Sequence, residues 1–101
     1  MEKSNKVVKK QSLEDVLGSK NKIKLLRFLA ENNDWQFNLA SISSRIGMDK
    51  GALSRVVKEL EEMKVLEIKR QGKLLLFRLN TKNKLISNLI IPFFEKEGRL
   101  Q

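Results

Sequence analysis

The amino-acid sequence predicts a mainly α-helical domain carrying one small β-hairpin, an α+β arrangement, and three observations lead there. Apolar residues recur at helical spacing over residues 19–31, 39–46, 50–64 and 84–96. Two apolar-rich runs, 65–70 and 74–79, flank Gln71-Gly72, where glycine can take the positive φ that a tight hairpin needs. A length of 101 residues is enough for one hydrophobic core and leaves no room for a second domain.

Residues 1–11 hold Lys3, Lys6, Lys9 and Lys10 against Glu2 alone and read as a flexible basic arm. Ser12 with Asp15 three residues on makes a weak capping box, and Gly18 interrupts the short turn that follows. Ser19 caps the first strong helix, in which Ile23, Leu26 and Ala30 form a stripe widened by Leu25, Phe28 and Leu29. Asn32-Asn33-Asp34 ends it. Trp35-Gln36-Phe37 is a short extended piece whose two aromatic side chains are expected in the core.

Asn38 is a good cap for the helix over 39–46, where Leu39, Ile42 and Ile46 share a face. Gly47 suits the left-handed residue that closes a helix, and Asp49 caps the next one. Two helices thus meet across a short turn containing glycine, the composition of a helix-turn-helix. The second of them, 50–64, carries Leu53, Val56, Val57, Leu60 and Met63 within about a third of its circumference. After the hairpin, Asn83 caps a helix over 84–96, where Pro92 removes one hydrogen bond and is expected to cause a kink. The chain accordingly divides into an arm at 1–11, a core domain at 12–80 and a C-terminal helix at 81–101 belonging to the same domain.

Lysines and arginines number 21 against 12 acids, and a net charge of +9 creates a field that attracts polyanions. Nucleic acid leads the expected partners, and an anionic membrane surface comes second. The chain has no cysteine and no histidine, which removes disulfides, thiolate chemistry, imidazole bases and nearly every zinc site. The carboxylates are scattered and give no catalytic set, so neither an enzyme nor a cofactor nor a metal centre is expected. No apolar run reaches the ~18 residues of a membrane span, and residues 1–6 lack the apolar stretch of a secretory signal. A cytoplasmic, nucleoid-associated protein is the expectation.

Read together, Leu17-Gly18-Ser19-Lys20-Asn21-Lys22-Ile23-Lys24-Leu25-Leu26, the segment Leu39 to Leu60 and the run Lys64-Val65-Leu66-Glu67 leading into a basic hairpin have a distinctive order and spacing. From Leu17 to Leu79 the chain resembles the ArsR-like and MarR-like winged helix-turn-helix transcriptional regulators. That resemblance implies a helix-turn-helix over 39–60, a wing at the hairpin and a twofold dimer built from terminal helices. Metal sensing, as some ArsR-like members practise it, is not implied, since the ligand residues are missing.

On the helical wheel, Gly51, Ser54, Arg55 and Lys58 lie opposite the apolar stripe, with Lys50 at the helix start. A major groove about 12 Å wide accepts one helix. Gly51 permits close approach, Ser54 can bond a base edge or phosphate, Arg55 can fork onto guanine, and Lys58 suits a phosphate. Arg70, Gln71 and Lys73 at the hairpin tip can lie along phosphates or enter the minor groove, and Lys69 and Arg78 stand nearby against Glu67 alone. Asn38, Ser41 and Ser43 can donate to phosphate, although Asn38 is more simply a cap.

The last helix is apolar all round, with Leu85, Leu89 and Phe93 the expected dimer contacts; the alternative is that it closes the domain's own core. Sequence-specific binding of double-stranded DNA by a homodimeric regulator is therefore the leading reading. The alternative is an interaction or architectural module that binds DNA without preference in a transcription, replication or chromatin assembly. An RNA duplex is disfavoured because its major groove is too deep and narrow for the helix.

Overall fold

Every helix boundary around the predicted helix-turn-helix is set by a side chain or a left-handed residue that takes up free backbone groups. The computed structural model describes residues 16–100, so the predicted arm at 1–11 and the cap at Ser12 lie outside the described residues. Helix α1 spans Lys20–Glu31, and Ser19 Oγ accepts from the Lys22 N–H at 3.1 Å. Helix α2 spans Leu39–Ile46, and Asn38 Oδ1 accepts from the Ser41 N–H at 2.8 Å. Helix α3 spans Lys50–Glu62, and Asp49 Oδ2 accepts from the N–H groups of Gly51 at 3.0 Å and Ala52 at 3.2 Å. Each such cap is worth about 1 kcal/mol against alanine.

Gly47 adopts φ +65° as expected, and the Met48 N–H returns to the Ser43 carbonyl at 3.1 Å, closing α2. Helix α3 closes in the same way without a glycine. Its last helical residue is Glu62, two earlier than the spacing predicts, because Lys64 turns left-handed at φ 60°. The Lys64 N–H bonds the Glu61 carbonyl and the Val65 N–H bonds the Leu60 carbonyl, both at 2.9 Å. Val65 and Leu60 are fully buried, so the turn is held by an apolar contact as well as by two hydrogen bonds. Two amides, Asn80 and Asn83, donate to the Lys64 carbonyl at 2.9 and 3.1 Å and satisfy it from the far side of the hairpin.

The sheet is antiparallel in the order β1-β3-β2, with β1 at Phe37–Asn38, β2 at Leu66–Gln71 and β3 at Leu74–Leu79. The hairpin turn is Gly72-Lys73, one residue later than predicted, because Gln71 pairs with Leu74 and belongs to the strand. Gly72 carries φ +63° and Lys73 does not turn positive, the φ pattern of a type II′ turn with glycine first. The short extended piece after α1 becomes the third strand by pairing Phe37 with Phe77 and Asn38 with Leu76.

After the hairpin, Lys84 and Leu85 begin a helical turn, with Asn83 Oδ1 accepting from the Leu85 N–H at 2.9 Å. Residues Ile86–Ile90 form a π turn, in which the Ile91 N–H reaches back to the Ile86 carbonyl, and helix α4 follows at Ile91–Leu100. Pro92 explains the interruption. It has no N–H to continue an α-helical ladder and its ring crowds the preceding turn, so the wider turn absorbs it and α4 restarts with Pro92 in its first turn. A π turn thus stands where a kinked helix was expected, and the helix runs to Leu100 instead of Lys96.

One core joins these elements, with Val16, Leu25, Leu26, Leu29, Leu53, Leu60, Ile86, Ile90 and Phe94 almost wholly inaccessible. Across it, Arg27 on α1 donates to both carboxylate oxygens of Glu97 on α4, at 2.7 and 2.9 Å, and lies 5.5 Å over the Phe94 ring. The hydrogen bonds from Arg27 hold the Glu97 carboxyl below the usual carboxylate range; partial burial opposes them and the guanidinium charge assists. No helix among the described residues is long and apolar enough to cross a membrane.

Two outcomes follow for stability. Lys64→Gly relieves the left-handed strain and raises unfolding stability by about 0.5–1 kcal/mol, read from urea midpoints at unchanged slope. Because the Glu97 pKa is depressed by folding, its contribution is full above the ordinary carboxylate range and is lost as pH falls through the depressed value. Glu97→Gln is therefore less stable than the parent at neutral pH, and thermal melts of the two converge on acidification.

Candidate nucleic-acid interface

Helix α3 is divided cleanly between two environments. Leu53, Val56, Val57 and Leu60 are buried, whereas Lys50, Gly51, Ser54, Arg55 and Lys58 are exposed, each on the face the sequence assigns it. Lys50, Arg55 and Lys58 make no ion pair with any described residue. The acids of the same helix sit toward its C-terminal end, and Glu59 is drawn sideways onto Lys22 of α1 at 3.4 Å. The N-terminal two turns are left cationic.

Gly51 lies close against its own cap. A Cβ at this position would stand 3.0 Å from the capping oxygen of Asp49. The cap also occupies the N–H groups of Gly51 and Ala52, so these two donors at the start of α3 are already used.

Register fixes the hairpin in equal detail. Leu66, Ile68 and Arg70 face one side with Leu79, Phe77 and Leu75; Glu67, Lys69 and Gln71 face the other with Arg78, Leu76 and Leu74. The first side is the one that turns toward the core, since Leu66, Phe77 and Leu79 are buried. Arg70 is therefore carried on the core-facing side beyond the core's edge, Gln71 on the opposite side, and Lys73 at the turn, all three exposed. Arg78 is not equivalent to the other hairpin cations: it donates to Glu67, its cross-strand partner, at 2.9 Å. Lys69, Arg70 and Lys73 stay without an ionic partner among the described residues.

No family model and no curated protein matches this sequence. Solved structures do match its shape. HlyU from Vibrio cholerae N16961 superposes with a TM-score of 0.67 at 17% identity, over 87% of this chain and 86% of that one. The homodimeric winged helix-turn-helix DNA-binding domain Mb0332 of Mycobacterium bovis, a possible ArsR-family transcriptional regulator, superposes at 0.61 with 16% identity, over 84% and 70%. A possible transcriptional regulator from Methanosarcina mazei Go1 gives 0.64 with 21% identity, over 86% and 79%. The fold is a winged helix-turn-helix. At these identities the likeness is one of architecture, with α2 and α3 as the helix pair and β2-β3 as the wing.

Other side chains named from the sequence fall differently on the winged helix frame. Asn38 caps α2 through Oδ1 alone, which takes no part of its amide N–H donors, whereas Ser43 Oγ donates to the Met48 carbonyl and so has its hydroxyl hydrogen already placed. Ser41 is half-buried. Arg45, which sequence reasoning passed over, is exposed at the end of α2 with its guanidinium 5.5 Å over the Phe37 ring. No spacing rule signals that contact, because Phe37 lies in the preceding strand.

Trp35 is a correction. Phe37 is buried as expected, its ring centroid 4.9 Å from that of Phe28 at a tilt of 56°, but Trp35 is 68% exposed. The short strand alternates sides, yet the chain reaches the sheet only at Phe37, and Trp35 belongs to the loop before it. It lines a surface depression of about 230 Å³ together with Glu31, Asp34 and Glu95, acidic surroundings that disfavour a stacked nucleobase with its phosphate.

The C-terminal segment divides its apolar residues between two duties. Ile86, Ile90 and Phe94 are buried in the domain's own core, while Leu89 and Phe93 are 55% and 56% exposed on another face. Leu85 is half-buried and packs against the core's edge. Closure of the domain and an open apolar face thus coexist in one segment.

Proposed function

We propose that this chain is a homodimeric transcriptional regulator that binds duplex DNA sequence-specifically, with α3 in the major groove and the wing on phosphates or in the minor groove. The observation that carries the reading is the ridge of Lys50, Arg55 and Lys58, exposed and without ionic partners among the described residues, on the side of α3 opposite its buried stripe. A protein gains nothing for its own fold from such a ridge; a polyanion neutralises it.

Arg55 is assigned to a base edge, since a guanidinium matches the paired acceptors of guanine. Ser54 and the backbone at Gly51 approach the groove floor, and Lys50 and Lys58 take phosphates. Arg70, Gln71 and Lys73 of the wing extend the contact. Leu89 and Phe93, with Leu85 at their margin, pack against a second copy. The homodimeric state of the Mycobacterium bovis DNA-binding domain supports this arrangement, which would set two recognition helices about one duplex turn, ~34 Å, apart.

Selection from random duplexes, run beside a light-scattering mass, tests the proposal: an enriched inverted repeat and a mass of two chains are expected. Equal affinity for all duplexes would favour an architectural module instead. Within a selected site, Arg55→Ala costs about 1–3 kcal/mol and relaxes preference at one base pair, whereas Lys73→Ala weakens all duplexes alike and lowers the slope of log K against log salt by about 1. Replacing Leu89 and Phe93 together by glutamate yields a monomeric mass with an unchanged circular dichroism spectrum, and DNA affinity falls through loss of the second half-site.

A further inference from the structure

The two grooves of a duplex are separated by one sugar–phosphate strand. A protein that places a helix in one groove and a hairpin in the next must straddle that strand, so the surface between helix and hairpin is the surface the strand meets. In this chain it is a pocket of about 250 Å³, and its floor is apolar, formed by Leu39, Val57, Ile68, Leu75 and Phe77. Ser54 and Lys58 of α3 stand along one rim. Arg70 stands beside Leu75 as its cross-strand partner, on the same side of the sheet as Ile68 and Phe77.

Leu75 is the open end of the pocket's floor, where the hairpin passes the edge of the core. It shares a side of the sheet with Phe77 and Leu79, which are 4% and 2% exposed, yet it is itself 39% exposed. A leucine held open beside two cations suits a ligand that is apolar and anionic by turns. A nucleic-acid strand has that chemistry, with deoxyribose presenting carbon and hydrogen between successive phosphates.

We infer that this pocket seats the deoxyribose edge of the strand that divides the two grooves, with Leu75 packed on the sugar and Lys58 and Arg70 on the flanking phosphates. The inference rests on the reading of α3 and the wing as duplex contacts. It adds a contact that carries no charge and reads no base, so its energetic signature differs from that of every cation in the interface. Glu61, which lines the α3 side of the same pocket, bounds the seat, because a phosphate placed there meets a carboxylate.

Anisotropy titrations of one duplex over a range of salt concentrations test this. Leu75→Asn lowers affinity about five- to tenfold with the salt slope unchanged, since burial is lost and no counterion is involved. Leu75→Met keeps affinity near that of the parent. Arg70→Ala lowers both affinity and slope, and Glu61→Gln tightens binding. Thermal melts of each variant establish that it is folded, as expected for a site open to solvent. If the parent binds and responds to Arg55→Ala while folded Leu75→Asn binds as tightly as the parent, the inference is overturned and the regulator reading stands. A changed slope for Leu75→Asn also overturns it, because the leucine would then act by positioning the cations. Absence of binding by the parent at low salt removes both readings.

Discussion

The rotation of α3 about its own axis is the constraint on which the rest depends. Successive residues turn by about 100°, so burial of Leu53, Val56, Val57 and Leu60 fixes where Arg55 and Lys58 point. A slip of one residue would carry Arg55 a quarter-turn or more toward the core. Both helix ends oppose such a slip. Asp49 holds the N–H groups of Gly51 and Ala52, and the left-handed turn at Lys64 returns Val65 to Leu60, so the helix is locked in register from both ends.

A second set of contacts decides what the C-terminal segment can offer. The paired hydrogen bonds of Arg27 to Glu97, with Phe94 beneath the guanidinium, fasten α4 to α1. The π turn before it shifts the helical phase by one residue, and the result is that Ile86, Ile90 and Phe94 keep to the core while Leu89 and Phe93 remain outside. Pro92 is the origin of that shift, so a single residue without an N–H governs how apolar surface is shared between the inside and the outside of the domain.

Much of this was legible in the sequence because it is local. Ser19, Asn38, Gly47 and Asp49 act on groups within a few residues of themselves, and the positions named for α3 fell on the open face because a helical wheel needs no knowledge of neighbours. What escaped depends on partners remote in sequence or on a residue in an unusual role. A lysine is a poor predictor of a left-handed backbone, and Lys64 adopts it because two distant asparagines and the Leu60–Val65 contact reward the turn. The pairing of Arg78 with Glu67 follows from hairpin register, which the one-residue error in the turn obscured. Ser43 and Trp35 have ordinary propensities on either side of burial; the turn after α2 brings the Met48 carbonyl back onto Ser43, and the loop before β1 carries Trp35 away from the core.

The two asparagines at Lys64 have a mechanical meaning. Asn80 follows β3 and Lys64 precedes β2, and the Asn80 N–H also bonds the Val65 carbonyl at 2.9 Å, so both roots of the hairpin are fastened to the end of α3. The structure is a calliper with a pinned pivot: one jaw is the helix, the other a ribbon of six-residue strands about 20 Å long. Its opening is a property of the pivot and its reach a property of strand length, which allows the two to vary independently as such a gauge is adapted to objects of different girth.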